Sequence, residues 1–245
     1  MSALLPHLSV LKVGDDAYPK RLKSLLGSHA PAELHVAGNQ DLLGSHAVSF
    51  CGARNASEKG IEAAALCARK AVSENFIITS GNARGVDRAT HFEALLNGGA
   101  TVLVLPEGLD RFRIAPELRE VWDWERVLVV SQFVPSAIWR AYQAMQRNKV
   151  IMGMSCAMIV IEAGEKGGTR AAGEEALRIG VPLFAVDYGF DETVAPGNRH
   201  LIASGAKRLK RNRQNGQPNL SELISDARSY CEGEWRVAKG QASLF

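Results

Sequence analysis

Six short apolar runs set the strongest limit on what this chain can fold into. They cover residues 48–51 (VSFC), 76–79 (FIIT), 101–105 (TVLVL), 127–131 (VLVVS), 158–162 (MIVIE) and 183–186 (LFAV). Each is continuously apolar rather than alternating. A strand buried on both faces reads this way, and such strands belong to parallel sheets covered by helices on both sides. Helical patterns separate the runs. Residues 58–73 are rich in Ala, Glu and Lys, and 87–97 open on an N-capping Asp87 and stop before Gly98-Gly99. Residues 138–154 form a long segment of mixed polarity, and 169–179 run into Gly180 and Pro182, a stop signal. This alternation predicts an α/β fold: a Rossmann-like, doubly wound, mostly parallel sheet with helices on both faces.

Composition agrees with a packed core. Hydrophobic residues make up 46% and charged residues 22% of 245, which excludes disorder, collagen and coiled coil as the main architecture. No apolar run approaches the ~20 residues that span a bilayer, and the N-terminus lacks a secretory pattern, so no membrane partner is expected. Cys51, Cys67, Cys156 and Cys231 lie far apart, without a CxxC pair or a histidine at ligand spacing. They predict reduced thiols in a cytoplasmic protein, and no zinc. Net charge is +3, but residues 207–213 (KRLKRNR) hold five cations and no acid, leaving 24 basic against 26 acidic residues elsewhere. One basic cluster on a nearly neutral body suggests a localised anion partner. The expected organisation is a lead-in over 1–17, a core over 18–206, and a 207–245 segment. The last contains the basic cluster, a polar linker over 211–219, a short helix over 220–230 capped by Asn219 or Ser221, and a mobile tail.

In an open α/β sheet, ligands bind beyond the carboxyl ends of the strands. The loops expected there are unusually informative. Gly52 to Ser57 (GARNAS) follows the first run, Ser80 to Asp87 (SGNARGVD) the second, and Ala163 to Arg170 (AGEKGGTR) the fifth. Each puts glycine, a small hydroxyl and a cation before a helix. Glycine lets the backbone approach a ligand, and a helix N-terminus offers free N–H groups to an anion. Three such loops at one sheet edge predict a wide phosphate-binding surface. No GxGxxG follows the first run and no GxxxxGK[ST] occurs, which argues against NAD and P-loop chemistry. No cofactor is expected.

SGNARGVDRATHFEAL, followed by Gly98-Gly99 and TVLVLPEGLD, resembles the central signature of the DNA-processing protein A (DprA/Smf) family. Tyr18-Pro19 with Leu22, Gly52-Ala53-Arg54, the run from Arg147 to Ser155 (RNKVIMGMS), Glu162-Ala163, Gly197-Asn198, Leu201-Ile202 and Gly205-Ala206 follow in the family's order. The resemblance spans 18–206. It implies a Rossmann-like core, binding of single-stranded DNA without catalysis, dimerisation, and delivery of incoming DNA to the RecA recombinase in transformation. By motif position it implies DNA contacts at Arg54 and Arg84, with Arg147 and Lys149 beside them. The loop chemistry adds Gly52, Ser80, Gly81, Gly85, Gly168, Thr169 and Arg170. Lys207, Arg208, Lys210 and Arg211 are candidates for an extension of that surface. A basic groove that tracks phosphates, with aromatic faces for the bases, is how single strands are held without sequence preference.

The chain departs from the family pattern in places. Ala144-Met145-Gln146 stands where the family has an aromatic, with Trp139 and Tyr142 as candidate replacements on the same helix. Ala53 replaces a hydroxyl residue, Gly167 to Ala172 replaces the SGxxxTA stretch, Ser131 to Pro135 replaces the SE-P motif, and no winged-helix domain is expected after the core. His91 reads as a packed helical histidine, Asp87 as an N-cap, Glu162 as a loop-organising acceptor, and Glu107 and Asp110 as surface acids, not metal ligands. A phosphoribohydrolase-type enzyme is the competing reading, since Gly167-Gly168-Thr169 is similar to PGGxGTxxE. Its carboxylate position holds Ala172, with acids only at Glu174 and Glu175. A nucleotide-sensing module is a third. Finally, Gln241-Ala242-Ser243-Leu244-Phe245 resembles the pentapeptide by which DNA-repair proteins dock on the sliding clamp, with Leu244 and Phe245 as apolar plugs and Gln241 as polar anchor.

Overall fold

The computed structural model describes residues 6, 8–189, 195–212 and 214–233. In chain order the elements are β1 (Leu8–Lys12), α1 (Lys20–Leu26), β2 (Glu33–Gly38), β3 (Ala47–Cys51), α2 (Glu58–Ser73), β4 (Ile77–Ser80), α3 (Val86–Leu96) and β5 (Thr101–Leu105). They continue with β6 (Val127–Ser131), α4 (Ala141–Gly153), β7 (Ala157–Val160), α5 (Gly168–Arg178), β8 (Leu183–Val186), α6 (Pro196–Ala203), β9 (Lys207–Leu209) and α7 (Ser221–Glu232). The strands form one sheet in the order β1-β2-β6-β5-β4-β3-β7-β8-β9. From β6 to β9 all neighbours are parallel, while β2 joins β6 and β1 joins β2 antiparallel. This is the expected α/β, doubly wound architecture. All six apolar runs supply strands, and β5 to β8 are buried along their whole length.

Two apolar layers clothe the sheet. On one face α2, α3 and α7 bury Ala64, Ala68, Ala94 and Leu223 against Phe50, Ile78 and Ile159. On the other, α1, α4, α5 and α6 bury Leu22, Ile151, Ala176 and Leu201 against Val102, Met158 and Val160. The chain lays down β3, β4, β5 and β6 in one direction. It then returns through α4 to place β7 on the far side of β3. The strand order therefore reverses between β3 and β7, where crossovers leave to opposite faces and open a crevice at the carboxyl ends.

Several expectations need correction. The sheet runs past both bounds expected for the core, 18–206, because β1 precedes residue 18 and β9 follows 206. Residues 1–17 thus contain a strand, not merely a lead-in. The helix expected over 138–154 starts at Ala141, so Trp139 lies before it. The first residue of α3 is Val86, and its N-cap is Gly85, so Asp87 sits inside the first turn. Leu220 is the N-cap of α7, and Asn219 acts one residue earlier, its Oδ1 accepting from the Ser221 N–H (3.1 Å). Cys156 and Cys231 are not free thiols. Their Cα atoms lie 5.4 Å apart across a disulfide that ties α7 to the start of β7. Among the described residues no helix is long and apolar enough to cross a membrane.

Candidate nucleic-acid interface

The crevice at the switch point holds ≈ 310 Å³ and is lined by Gly52, Arg54, Arg147, Asn148, Gly168 and Thr169, with Cys51 and Met145 beside them. Three of the sequence-marked loops meet there. Close packing explains their glycines. Gly85 has φ +80°, and a Cβ on it would lie 2.4 Å from the Ala53 carbonyl oxygen, so the second loop rests directly on the first. A Cβ on Gly81 would overlap the Arg147 guanidinium, which therefore packs directly against bare backbone.

Arg147 is the buried charge of the site, 7% exposed. Its Nη1 is 4.0 Å from Asp87 Oδ2, and its Nε has no hydrogen-bond partner. Burying a guanidinium costs several kcal/mol unless charge compensates it, and Asp87 supplies that compensation. Asp87 in turn is fixed by the loop. Its Oδ1 is 2.9 Å from Ser80 Oγ, which also lies 2.8 Å from the Phe50 carbonyl oxygen, and its Oδ2 accepts from the Ala83 N–H (3.2 Å). Asp87 organises the loop by these bonds rather than as an N-cap. His91 packs beneath, fully buried. Its Nε2 donates to the Gly81 carbonyl (2.6 Å), which leaves the lone pair on Nδ1 facing the Thr101 hydroxyl (2.6 Å). Burial lowers its pKa to about 4, so the ring is neutral. Burial likewise pushes the Cys51 thiol up to about 12, and it is no nucleophile at neutral pH.

Arg54 is exposed at the mouth of the crevice, its Cζ 5.7 Å from the centroid of the Trp139 ring. Trp139 is itself 48% exposed, and Ile138, Tyr142 and Met145 continue an exposed apolar strip beside it. An aromatic flanked by a guanidinium offers a stacking face and a cation together. Trp139 does so from the extended segment ahead of α4, not from the helix. That is why helical spacing misplaces it.

The structure separates other expected residues from the crevice. Ser80 and Gly81 are buried beneath it and hold the loop. Arg84 is exposed on the second loop, outside the crevice lining. Lys149 points to the α5 side, 3.5 Å from Glu175. Arg170 is held by Glu174 (2.8 Å) and the Glu165 carbonyl (2.6 Å). Glu162 does organise the loop, accepting from the Ser57 N–H (2.8 Å) and hydroxyl at the start of α2. Nearby acids pair with the basic cluster. Lys207 pairs with Asp226 (2.7 Å) and Glu222 (2.8 Å), Arg208 and Lys210 with Asp187 (3.1 and 3.8 Å), and Arg211 with Glu62 (2.9 Å). Gln241, Leu244 and Phe245 lie outside the described residues. Asn148 was the lining residue least visible in advance. It sits inside the Arg147 motif without a charge to mark it.

The family model for DNA recombination-mediator protein A matches residues 9–217. The DNA processing protein DprA of Streptococcus pneumoniae is 33% identical over 219 residues, covering 89% of this chain and 74% of that protein. Protein Smf of Escherichia coli is 29% identical over 207 residues, and the match spans 54% of its length. The solved structure of the Streptococcus pneumoniae protein superposes with a TM-score of 0.73 at 31% identity, over 84% of this chain and 71% of that one. DNA processing protein A from Helicobacter pylori, whose structure was described for its single-stranded DNA binding mode, has the same fold. Its TM-score is 0.73 at 21% identity, over 90% of this chain and 95% of that one. By the span of the family match and the 33% identity to the Streptococcus pneumoniae protein, the chain belongs to the DNA recombination-mediator protein A family.

Proposed function

We infer that this chain binds single-stranded DNA with little sequence preference, as a recombination mediator rather than an enzyme. The observation that carries this reading is the Arg54 guanidinium against the exposed Trp139 ring, at the mouth of a crevice walled by Arg147. Phosphates would track Arg54 and Arg84, and bases would stack on the Trp139–Tyr142 strip. The crevice supports binding rather than hydrolysis. Its carboxylate, Asp87, is engaged by Ser80, Ala83 and Arg147. Glu174 and Glu175, the acids nearest the phosphoribohydrolase-like turn, are paired with Arg170 and Arg178. As a family member the chain would act in the cytoplasm as a homodimer that hands DNA to RecA in DNA uptake. The 241–245 tail would add a clamp contact worth about −8 kcal/mol at micromolar affinity. Fluorescence anisotropy with a labelled oligonucleotide, beside a nucleoside-monophosphate hydrolysis assay, tests the core reading. Salt-sensitive DNA binding without hydrolysis is expected, and hydrolysis without DNA binding would reverse the assignment. Pull-down with RecA, pull-down with the clamp using Leu244→Ala/Phe245→Ala as control, and sedimentation test the three partners in turn.

A further inference from the structure

A second concavity of ≈ 740 Å³ lies at the carboxyl ends of β8 and β9. It shares no lining residue with the crevice. One face of α2 forms a wall, with Lys59, Glu62, Ala63, Leu66 and Cys67 at helical spacing. The opposite wall is Asp187 to Gly189 after β8, with Leu209 at the end of β9 and Lys210 and Arg211 after it. Its volume is that of a small-molecule site. The floor is apolar, built from Ala63, Cys67, Val186 and Leu209, and Tyr188 adds an aromatic ring. Around it, Lys59, Arg208, Lys210 and Arg211 face two carboxylates, Glu62 and Asp187. Arg199 is a fifth cation in the lining, so positive charges exceed negative ones there by three. Asp187 is shared by Arg208 (3.1 Å) and Lys210 (3.8 Å), so its single charge holds two cations in place without neutralising both. It stays a carboxylate, its pKa lowered by the Gly189 N–H and the two cations against the cost of burial. Between the two sites stand Glu162, bonded to Ser57, and Asn198. Asn198 ties the end of β7 to the end of β8 through the Ile161 and Val186 carbonyls (2.6 and 2.9 Å).

We propose that this concavity is a separate binding site for a mononucleotide. Its phosphate would meet Lys210 and Arg211, its base the apolar floor and Tyr188, and a ribose hydroxyl would donate to Asp187. A phosphate dianion suits this cationic lining, and a flat ring matches a floor that a bare anion leaves unused. This assigns the basic stretch after Ala206 to a small ligand rather than to the DNA path.

Isothermal titration calorimetry of the full chain with AMP, GMP and inorganic phosphate tests the assignment. One or both nucleotides should bind more tightly than phosphate, and Lys210→Gln/Arg211→Gln should weaken that binding about tenfold or more, the loss expected for charge-assisted hydrogen bonds. Arg54→Ala should leave it unchanged. Absence of nucleotide heat, equal affinity for phosphate, or indifference to the double substitution would overturn the proposal, as would loss of binding in Arg54→Ala, which would move the nucleotide to the crevice. A 5′-phosphorylated oligonucleotide in the same titration separates free nucleotide from a strand end. Competition by its terminus, abolished by the double substitution, would make the strand end the ligand and overturn the mononucleotide. DNA binding by anisotropy is read independently, so failure here leaves the crevice reading standing.

Discussion

At the residue scale, the site rests on buried polar groups whose protonation the fold has fixed. His91 has a folded pKa of about 4, against roughly 6.5 for an unfolded histidine. Between these values the unfolded state binds the extra proton. Stability therefore rises with pH through that window, is complete above it, and is lost as pH falls from about 6.5 toward 4. The full effect is on the order of 3 kcal/mol. Urea denaturation at pH 4.5 and pH 7 should show it, and His91→Gln should flatten the difference. An equal slope in both proteins would remove His91 as the cause. Trp139 makes a different kind of prediction, because its ring is exposed and stabilises little. Trp139→Ala should weaken oligonucleotide binding about tenfold, since stacking on one aromatic is worth about 1–3 kcal/mol. Trp139→Phe should keep most of the affinity, and the melting temperature should hold in both. Equal affinity in wild type and Trp139→Ala would assign the strip to another role. Gly52, Gly168 and Thr169 are legible in sequence because glycine-rich turns before helices carry a chemical signature, and Arg54 and Arg147 because they stand at positions of the family motifs. The Trp139 ring is a candidate in sequence too, but its place ahead of the helix is not legible, because an extended segment has no periodicity by which to place it.

At the element scale, legibility followed burial. Strands β3 to β8 are enclosed on both faces, so their sequences are continuously apolar and mark themselves. β1 and β2 are not. Leu8 and Val10 are exposed while Leu11 is buried, and β2 carries Glu33 and His35 between buried residues. Antiparallel strands at this end of the sheet, partly open to water, read as ordinary loop sequence. β9 hides for another reason: Lys207 and Arg208 are exposed and only Leu209 is buried, so charge masks three residues of parallel pairing. The disulfide was also invisible, because a separation of 75 residues gives no local pattern. It fastens α7, whose Leu223, Ile224 and Ala227 cover the face shared with α2. Closing a loop of that length restricts the unfolded chain by about 4 kcal/mol on the chain-entropy account. Cys231→Ser should lower the denaturation midpoint, and hydrogen exchange in α7 should accelerate before that in α2. Unchanged exchange in α7 would mean that packing alone holds the helix.

At the scale of the whole molecule, the small net charge of +3 hides an uneven division of labour. The densest basic stretch in the sequence is paired with Glu62, Asp187, Glu222 and Asp226, whereas Arg54 and Arg84 stand exposed near the switch point. Attraction for a polyanion depends on charge that can replace counterions on phosphate, not on the number of basic residues in a run. Each phosphate neutralised on a single strand contributes about −0.7 to the slope of log K against log salt. With Arg54, Arg84 and Arg147 each engaging one phosphate, the slope should be about −2 per chain. Arg54→Ala/Arg84→Ala should bring it to about −0.7 and weaken binding alike on all sequences, because phosphate contacts carry no base information. Both side chains are exposed and outside any described ion pair, so the melting temperature should stay put. Oligonucleotide anisotropy from low to physiological salt supplies the slopes. A double variant with the wild-type slope would mean that the strand runs elsewhere on the sheet edge. If Lys207→Gln/Arg208→Gln/Lys210→Gln/Arg211→Gln then reduced the slope instead, the paired cations would have to exchange their carboxylates for phosphate on binding, and the DNA path would shift to β9.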